Sequence, residues 1–236
     1  GIRIGNGFGM AVRCAAEELP DYAGAPSGGR PHESHHGMQM LCPLLDYLRR
    51  AFADYSRGEL AREPAVIAMT FSAIDPTVAP PGKHTLFLWA QYFPYELAGG
   101  RCWDDMREQA ADSILEVLYR YAPNMRGKII ERFIQSPLDL ERRLGLLRGN
   151  VMHVEMSFDQ MFFFRPLPEL ARYRTPVRGL CLTGASTHPG GGVFAASGYN
   201  TARVVLGDLW AGRRLWAGAG LAAAATVAWA ARRRRA

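Results

Sequence analysis

Cysteine is sparse in this 236-residue chain, and the four present (Cys14, Cys42, Cys102 and Cys181) are dispersed, with no C-x-x-C pair. That spacing excludes a disulfide framework and a cysteine zinc site, and reads as reduced, buried thiols of a cytosolic protein. No pair of carboxylates, no Ser/His/Asp set and no activated cysteine presents itself as a side-chain catalyst that the chemistry must use. The opening residues, Gly1-Ile-Arg-Ile-Gly5, lack the long apolar core of a signal peptide. Basic residues are not interleaved with aromatics. The formal net charge is +6, but Arg232-Arg-Arg-Arg235 alone supplies four of those charges, and nucleic acid is therefore a poor candidate partner.

What is present is enough apolar material for a core. Hydrophobic residues make up 48%, and the length suits one large domain or two small ones. Residues 1–40 read as loop-rich, with Gly24-Ala-Pro-Ser-Gly-Gly29-Arg-Pro31 the most linker-like stretch. His32, His35 and His36 follow among Pro, Ser and Gly, not on a helix face with carboxylate support, so a solvated loop is expected there and not a metal site. Apolar residues at 41, 44, 45, 48 and 52 fit a helix from Leu41 to about Tyr55.

Val66 to Ile74 and Thr85 to Phe93 read as strands, separated by the Asp75-Pro76 and Pro80-Pro81-Gly82 breaks. Trp103 to Tyr121 carries the clearest helical stripe, Met106, Ala110, Ile114, Val117 and Tyr121, and Pro123 stops it. Lys128 to Gln135 reads as a further strand, and Ser136-Pro137-Leu-Asp139 as the cap and first turn of a short helix running to Gly145. These elements suit an antiparallel or mixed sheet carrying helices, an α+β arrangement. Alternation in the second strand places Leu86, Leu88 and Ala90 on one face and Phe87, Trp89 and Gln91 on the other. Phe71, Trp89, Tyr92, Phe93, Tyr95 and the Phe162-Phe163-Phe164 run are either ordinary core or the lining of an apolar substrate cavity.

The stretch with most bearing on function is Gly184 to Leu206. Leu180-Cys181-Leu182-Thr183 before it is a short apolar run of the kind that forms a buried strand. Within it, Ala195, Tyr199, Ala202 and Leu206 recur at helical spacing. Between these lies His188-Pro189-Gly190-Gly191-Gly192, a backbone that a ligand can approach without side-chain interference. The unpaired amides and dipole at the start of the following helix favour an anionic or electron-rich group. Composition by itself equally allows a surface loop between two packed elements.

This segment resembles the C-terminal flavin-binding signature of the phytoene dehydrogenase-like FAD-dependent oxidoreductases, and is most like the group that includes pyridine nucleotide-disulfide oxidoreductase domain-containing protein 2. Residues 67–84, 91–95, 136–141 and 159–166 are similar to that family in the same order, so the likeness covers most of residues 1–208. It implies FAD as cofactor, held by Gly184, Ala185, Ser186, Thr187, His188, Pro189, Gly190, Gly191, Gly192, Val193, Gly198 and Asn200. The loop would run along the ribityl and diphosphate, with the helix start at the pyrimidine edge of the isoalloxazine.

The fold it implies is an α/β flavoprotein fragment. Residues 1–145 would be part of a mixed-sheet substrate domain, residues 146–208 the C-terminal strand and helix of a Rossmann-like FAD-binding domain, and residues 209–236 an apolar helix and basic tail. The activity it implies is hydride transfer between a C–C or C–H bond of an apolar small molecule and flavin N5, the cofactor doing the hard step. Catalytic side chains stay unassigned. His188, the one titratable residue of the loop, either tunes the flavin or accepts a proton, or braces the loop by a hydrogen bond. Asp159 and Arg165, flanking the phenylalanine run, read as making an ion pair or a backbone contact.

The family opens with a strand-turn-helix bearing G-x-G-x-x-G and an acidic residue for the ribose. Gly5-Asn-Gly7-Phe-Gly9-Met10-Ala11 has the wrong glycine spacing, no full apolar strand before it and no acidic residue closing a strand after it; it reads as a turn inside the substrate domain. The implied partner is therefore an N-terminal FAD-binding half. A competing reading is a non-catalytic interaction module or subunit that cannot bind FAD without that half, because the missing charge-assisted contacts carry much of the affinity.

Leu215 to Ala231 holds one polar side chain, Thr226, between Arg213-Arg214 and Arg232 to Arg235. As a helix it would span about 25 Å, short of a hydrocarbon core of roughly 30 Å. Trp216 and Trp229 sit near its ends, as interfacial anchors would. A membrane-associated or short spanning helix, a helix packed on protein, and a disordered tail all stay open. The expected location is cytoplasmic, with membrane association through residues 215–231 as the alternative.

Overall fold

A computed structural model describes residues 1–192 and 195–211. Val193, the apolar segment 215–231 with Trp216 and Trp229, and the basic tail lie outside those residues. The chain divides into two compact units, residues 4–151 and residues 1–3 together with 152–236.

The first unit is built in the order β1 (Gly7–Ala16), β2 (Gln39–Leu41), α1 (Leu45–Ser56), β3 (Ala65–Met69), β4 (His84–Pro94), α2 (Trp103–Tyr121), β5 (Ile129–Gln135) and α3 (Pro137–Leu144). Its five strands form one sheet in the order β2-β3-β4-β1-β5. Every neighbouring pair is antiparallel, so the expected mixed sheet is corrected to a purely antiparallel one. The reason lies in β1. β4 and β5 both run against it and therefore run parallel to each other, with α2 as the crossover between them, but β1 fills the slot where they would have paired.

β1 also corrects the expectation of a loop-rich opening. Its small residues, GFGMAVRCAA, read poorly as a strand, yet it bonds to β4 over ten registered pairs and to β5 on its other side. Pairing on both edges outweighs weak intrinsic preference. Met10, Val12, Cys14 and Ala16 alternate into the core, where they meet Leu86, Leu88 and Ala90 of β4 and Ile114, Leu115, Val117 and Leu118 of α2. The α2 stripe thus lands where helical spacing put it. At its start, the Trp103 indole Nε1 donates towards the carbonyls of both Pro94 and Tyr95, each at 3.0 Å, fixing the helix to the end of β4.

Other boundaries moved. Pro43 disfavours helix at Cys42, so Leu41 ends β2 and α1 begins at Leu45. β3 stops at Met69, and Phe71–Ala73 coils into a 3₁₀ turn where a strand was expected to continue to Ile74. α3 opens as read, with a reciprocal cap between Ser136 and Asp139, and gives way at Gly145. The histidine segment is not a solvated loop throughout. His35 is fully buried; its Nδ1 accepts from the His32 amide at 3.1 Å and its Nε2 lies 2.8 Å from the Pro20 carbonyl. Among the described residues no group of His, Cys, Asp or Glu is placed to hold a metal.

The second unit has little regular structure before its helix. Three 3₁₀ turns (Phe158–Gln160, Phe162–Phe164 and Pro168–Leu170) lead to a single bridge between Arg174 and Cys181. Residues 196–211 are helical (α4). The strand expected at Leu180 to Thr183 is not formed: Cys181 pairs only with Arg174, because no strand among the described residues of this unit lies alongside to extend the ladder. Among the described residues no helix is long and apolar enough to cross a membrane.

Gly9 tests the central strand. A Cβ there would stand 2.4 Å from the Ala90 carbonyl and 2.9 Å from the Trp89 ring, whereas one at Gly37 meets nothing within 4 Å. Gly9→Ala should cost about 1–3 kcal/mol by overpacking, and Gly37→Ala less than about 0.5 kcal/mol, read as shifts of the urea midpoint.

Candidate functional site

The glycine segment is held from behind by one side chain. Arg165 is fully buried, and each of its five N–H groups has a backbone carbonyl within reach. Nε donates to Ala185 at 2.9 Å. Nη1 donates to Gln160 and Glu155 at 3.2 and 3.4 Å. Nη2 donates to Met152 and Val154 at 2.6 and 3.2 Å. Of the two contacts expected for Asp159 and Arg165, Arg165 therefore makes the backbone one. Asp159 makes the ion pair, with Arg3 at 2.6 Å. Arg3 also reaches Glu155 at 3.1 Å, and its backbone is clamped by the buried Gln160 amide, which accepts from Arg3 N and donates to Arg3 O. The bonds from Arg3 hold the Asp159 carboxyl down at about 2.

Within the loop, Thr187 closes a turn, its amide and hydroxyl both donating to the Gly184 carbonyl at 3.0 and 2.9 Å. Tyr173, which sequence reasoning did not single out, is the second brace. Its buried hydroxyl donates to the His188 carbonyl at 3.0 Å and accepts from Asn200 Nδ2 at 2.9 Å, tying the loop to α4. Thr201 Oγ1 adds contacts to the Leu182 and Ser197 carbonyls at 3.1 and 2.8 Å. Gly190 is buried with φ of 123°, a conformation closed to side-chain-bearing residues, so a glycine is required at that bend.

The result is a concavity of about 250 Å³ lined by Thr183, Gly184, Ala185, Gly190, Gly191, Gly192 and residues 195–198. Of the residues expected to bind the cofactor, Gly184, Ala185, Gly190, Gly191, Gly192 and Gly198 are on this wall. Ser186, Thr187, His188, Pro189 and Asn200 are off it, and the contacts of Thr187, His188 and Asn200 are those of supports. The His188 brace runs through its carbonyl. Its ring stacks on Phe163, with centroids 5.3 Å apart and planes 13° from parallel, and its buried Nδ1 has no hydrogen-bond partner among the described residues.

The chemistry of this wall fits the polar part of a flavin nucleotide. It is backbone and small side chains, it lies at the start of a helix, and a guanidinium is buried behind it. Size limits the fit: small-molecule sites run from roughly 300 to 1,000 Å³, so this concavity is sized for a portion of a dinucleotide.

The other candidate surface belongs to the first unit. The sheet face opposite α2 carries Phe87, Trp89 and Gln91 of β4, as alternation placed them, with Arg13 and Ala15 of β1 and Phe133 of β5. Arg13, Ala15, Phe71, Thr85, Phe87, Glu131 and Phe133 surround a predominantly apolar hollow of about 360 Å³. Arg13 lies over the Phe87 ring at 5.2 Å and bonds to the Gln135 side chain. The expected cavity aromatics divide. Phe93 is core, Trp89 and Tyr92 are half-buried and gathered with Phe8, and Phe71 is 48% exposed. Tyr95 bonds to Glu141, and Phe162, Phe163 and Phe164 are exposed.

No family model matches the sequence. Over 202 residues, 84% of its length, the chain is 40% identical to pyridine nucleotide-disulfide oxidoreductase domain-containing protein 2 of Rattus norvegicus. The chain is a homologue of that protein. It is also 30% identical over 164 residues to a limonene dehydrogenase component of Castellaniella defragrans (67% of this chain, 29% of that one) and 35% identical over 138 residues to a lycopene-forming phytoene desaturase of a Paracoccus species (57% and 26%). Its homologues are thus named as oxidoreductases and desaturases, and the chain spans about a third of the length of the rat relative, 35%.

Two outcomes follow for the loop and its support. Tyr173→Phe strands the His188 carbonyl and the Asn200 amide, and should cost about 1–2 kcal/mol and speed amide exchange across residues 184–192 while leaving β1 and β4 protected. Asp159 is depressed in the folded state relative to about 3.9 unfolded, so its contribution is complete above about pH 4 and lost as pH falls towards 2. The stability difference between wild type and Asp159→Asn should therefore shrink as acid is added over that window in pH-resolved urea titrations.

Proposed function

We propose that this chain forms the substrate-facing part and the isoalloxazine-side wall of an FAD-dependent oxidoreductase acting on an apolar small molecule. The observation that carries the reading is the backbone-lined concavity at Gly184 to Gly198, backed by the buried Arg165, in a chain homologous to oxidoreductases over most of its length. Bound there, the flavin would supply the hydride acceptor or donor at N5. The protein's own contribution is placement. Amides at Gly190 to Gly192 and at the start of α4 would orient the electron-rich edge of the ring, and the loop would hold its shape through Arg165, Tyr173 and Thr187.

The open sheet face of the first unit, with Phe87, Trp89 and Phe133, is the surface chemically suited to an apolar substrate, which it would desolvate and align. On this reading Leu180 to Thr183 would complete the last strand, and α4 the last helix, of a Rossmann-like layer. Its other strands, and the adenosine contacts, would come from a separate N-terminal nucleotide-binding half. The bare apolar side chains support this. Leu180 is 49% exposed, and Leu206 and Leu209 of α4 are 53% and 60% exposed, as suits surfaces that another segment covers.

The test is to purify the chain alone and co-expressed with the N-terminal half of a homologue, and to measure released flavin after denaturation. Stoichiometric flavin is expected with the partner and little without it. Gly190→Ala, which forces a residue with a Cβ to a φ of 123°, should weaken flavin binding at least about tenfold with the circular dichroism of the sheet unchanged. Flavin absent in both preparations would leave the non-catalytic module as the function.

A further inference from the structure

We propose that Arg165 is a positioning residue whose unneutralised charge selects an anionic group on the outer side of the glycine loop. This inference rests on the flavin reading of the site and adds the electrostatic determinant of what the loop accepts. The guanidinium is fully buried, and buried charges are ordinarily paired. Here, among the described residues, no carboxylate lies within ion-pair distance of Arg165. The two acidic residues near it in sequence, Glu155 and Asp159, are engaged by Arg3. The five carbonyls satisfy every donor of Arg165, but carbonyl dipoles bring no formal charge, so a whole positive charge stays inside the unit.

Its position gives that charge a direction. Nε bonds to Ala185 at 2.9 Å, and a Cβ built on Gly190 would stand 3.7 Å from both Cδ and Nε of Arg165, so the cation lies directly behind the loop that lines the concavity. The loop is glycine at Gly190 and Gly191, and no side chain at those positions screens the field. The positive end of α4 faces the same space, and the two effects add. An anion on the outer side of the loop is thereby favoured over a neutral group of the same shape. Two sources share that chemistry: the diphosphate of a dinucleotide, and the isoalloxazine ring once reduction has made it anionic.

The experiment uses the full chain with Arg165→Met, which removes charge and donors, and Arg165→Lys, which keeps charge but loses the five-carbonyl fit. Inorganic pyrophosphate is titrated against each and followed by calorimetry at fixed ionic strength, and the midpoint potential is measured on each variant loaded with flavin in complex with the co-expressed N-terminal half. Thermal melts report whether each variant is folded. If the anion is a diphosphate, Arg165→Met loses about tenfold in pyrophosphate affinity and Arg165→Lys stays within about threefold of wild type, from a lower melting temperature. If the anion is the reduced ring, Arg165→Met lowers the potential by about 30 mV, a tenfold loss of preference for the two-electron reduced form, and Arg165→Lys does not.

Either pattern supports the proposal. It is overturned if both variants match wild type in affinity and potential, or if both lose equally, which would make Arg165 a brace alone. A charge-dependent pyrophosphate response in a protein that never retains flavin would uphold the inference while removing the flavin reading beneath it.

Discussion

Five backbone carbonyls converging on one guanidinium set the geometry on which the rest of the second unit depends. A buried arginine costs several kcal/mol in desolvation, and a charge-assisted bond returns roughly 1.5–3 kcal/mol. One or two bonds would leave a deficit, whereas five well-placed ones offset it. The arrangement is therefore intolerant of partial loss: residues 152–160 and Ala185 must all be in place together. Such cooperativity matters in a region with, among the described residues, three short 3₁₀ turns and one isolated bridge, and no sheet ladder to fix the backbone. A glycine-rich loop has much conformational freedom to lose, and Arg165 and Tyr173 impose from behind what its own side chains cannot.

The first unit solves a different problem. An apolar ligand needs a dry surface that does not collapse onto itself, and the sheet face turned away from α2 supplies it along the row Phe87, Arg13 and Phe133. β1 is what makes the surface continuous. Inserted between β4 and β5, it carries Met10, Val12 and Cys14 inward and Arg13 and Ala15 outward, so the open face runs from Phe87 to Phe133 without a gap. Arg13 lies along Phe87 and is bonded to Gln135, so its stem adds apolar area while its charge is held at the rim.

How much of this was legible in the sequence depended on whether the signal was local. The α2 stripe, the Ser136–Asp139 cap and the alternation in β4 are carried by residues within a few positions of one another, and their structures match. β1 was not legible, because its stability comes from two partners distant along the chain, while its own glycines and alanines speak against a strand. His35 misled for a similar reason: its neighbours Pro, Ser and Gly signal solvent, but the Pro20 carbonyl waits for its ring. The 184–192 loop announced itself by composition. Its supports were less plain: Arg165 was expected to make an ion pair or a backbone contact, but not one to the loop itself, and Tyr173 looks like any half-polar aromatic. One signal was available in principle: Arg165 stands beside a run of three phenylalanines, where a lone cation invites the question of what satisfies it.

The division of labour between braces and wall also accounts for the sorting of the loop's residues. A residue that touches a ligand through its backbone must keep its side chain out of the way, and a residue that fixes the backbone must point its side chain or carbonyl inward. Gly184, Ala185 and Gly190 to Gly192 meet the first demand and line the concavity; Thr187 and Asn200, with the carbonyl of His188, meet the second. The His188 ring does neither. With its carbonyl spent on Tyr173 and its face stacked on Phe163, its Nδ1 is left buried without a partner among the described residues. An unsatisfied buried nitrogen costs roughly 1–3 kcal/mol, a cost that the loop's hydrogen bonds offset in the free chain and that a ligand able to reach that nitrogen would relieve.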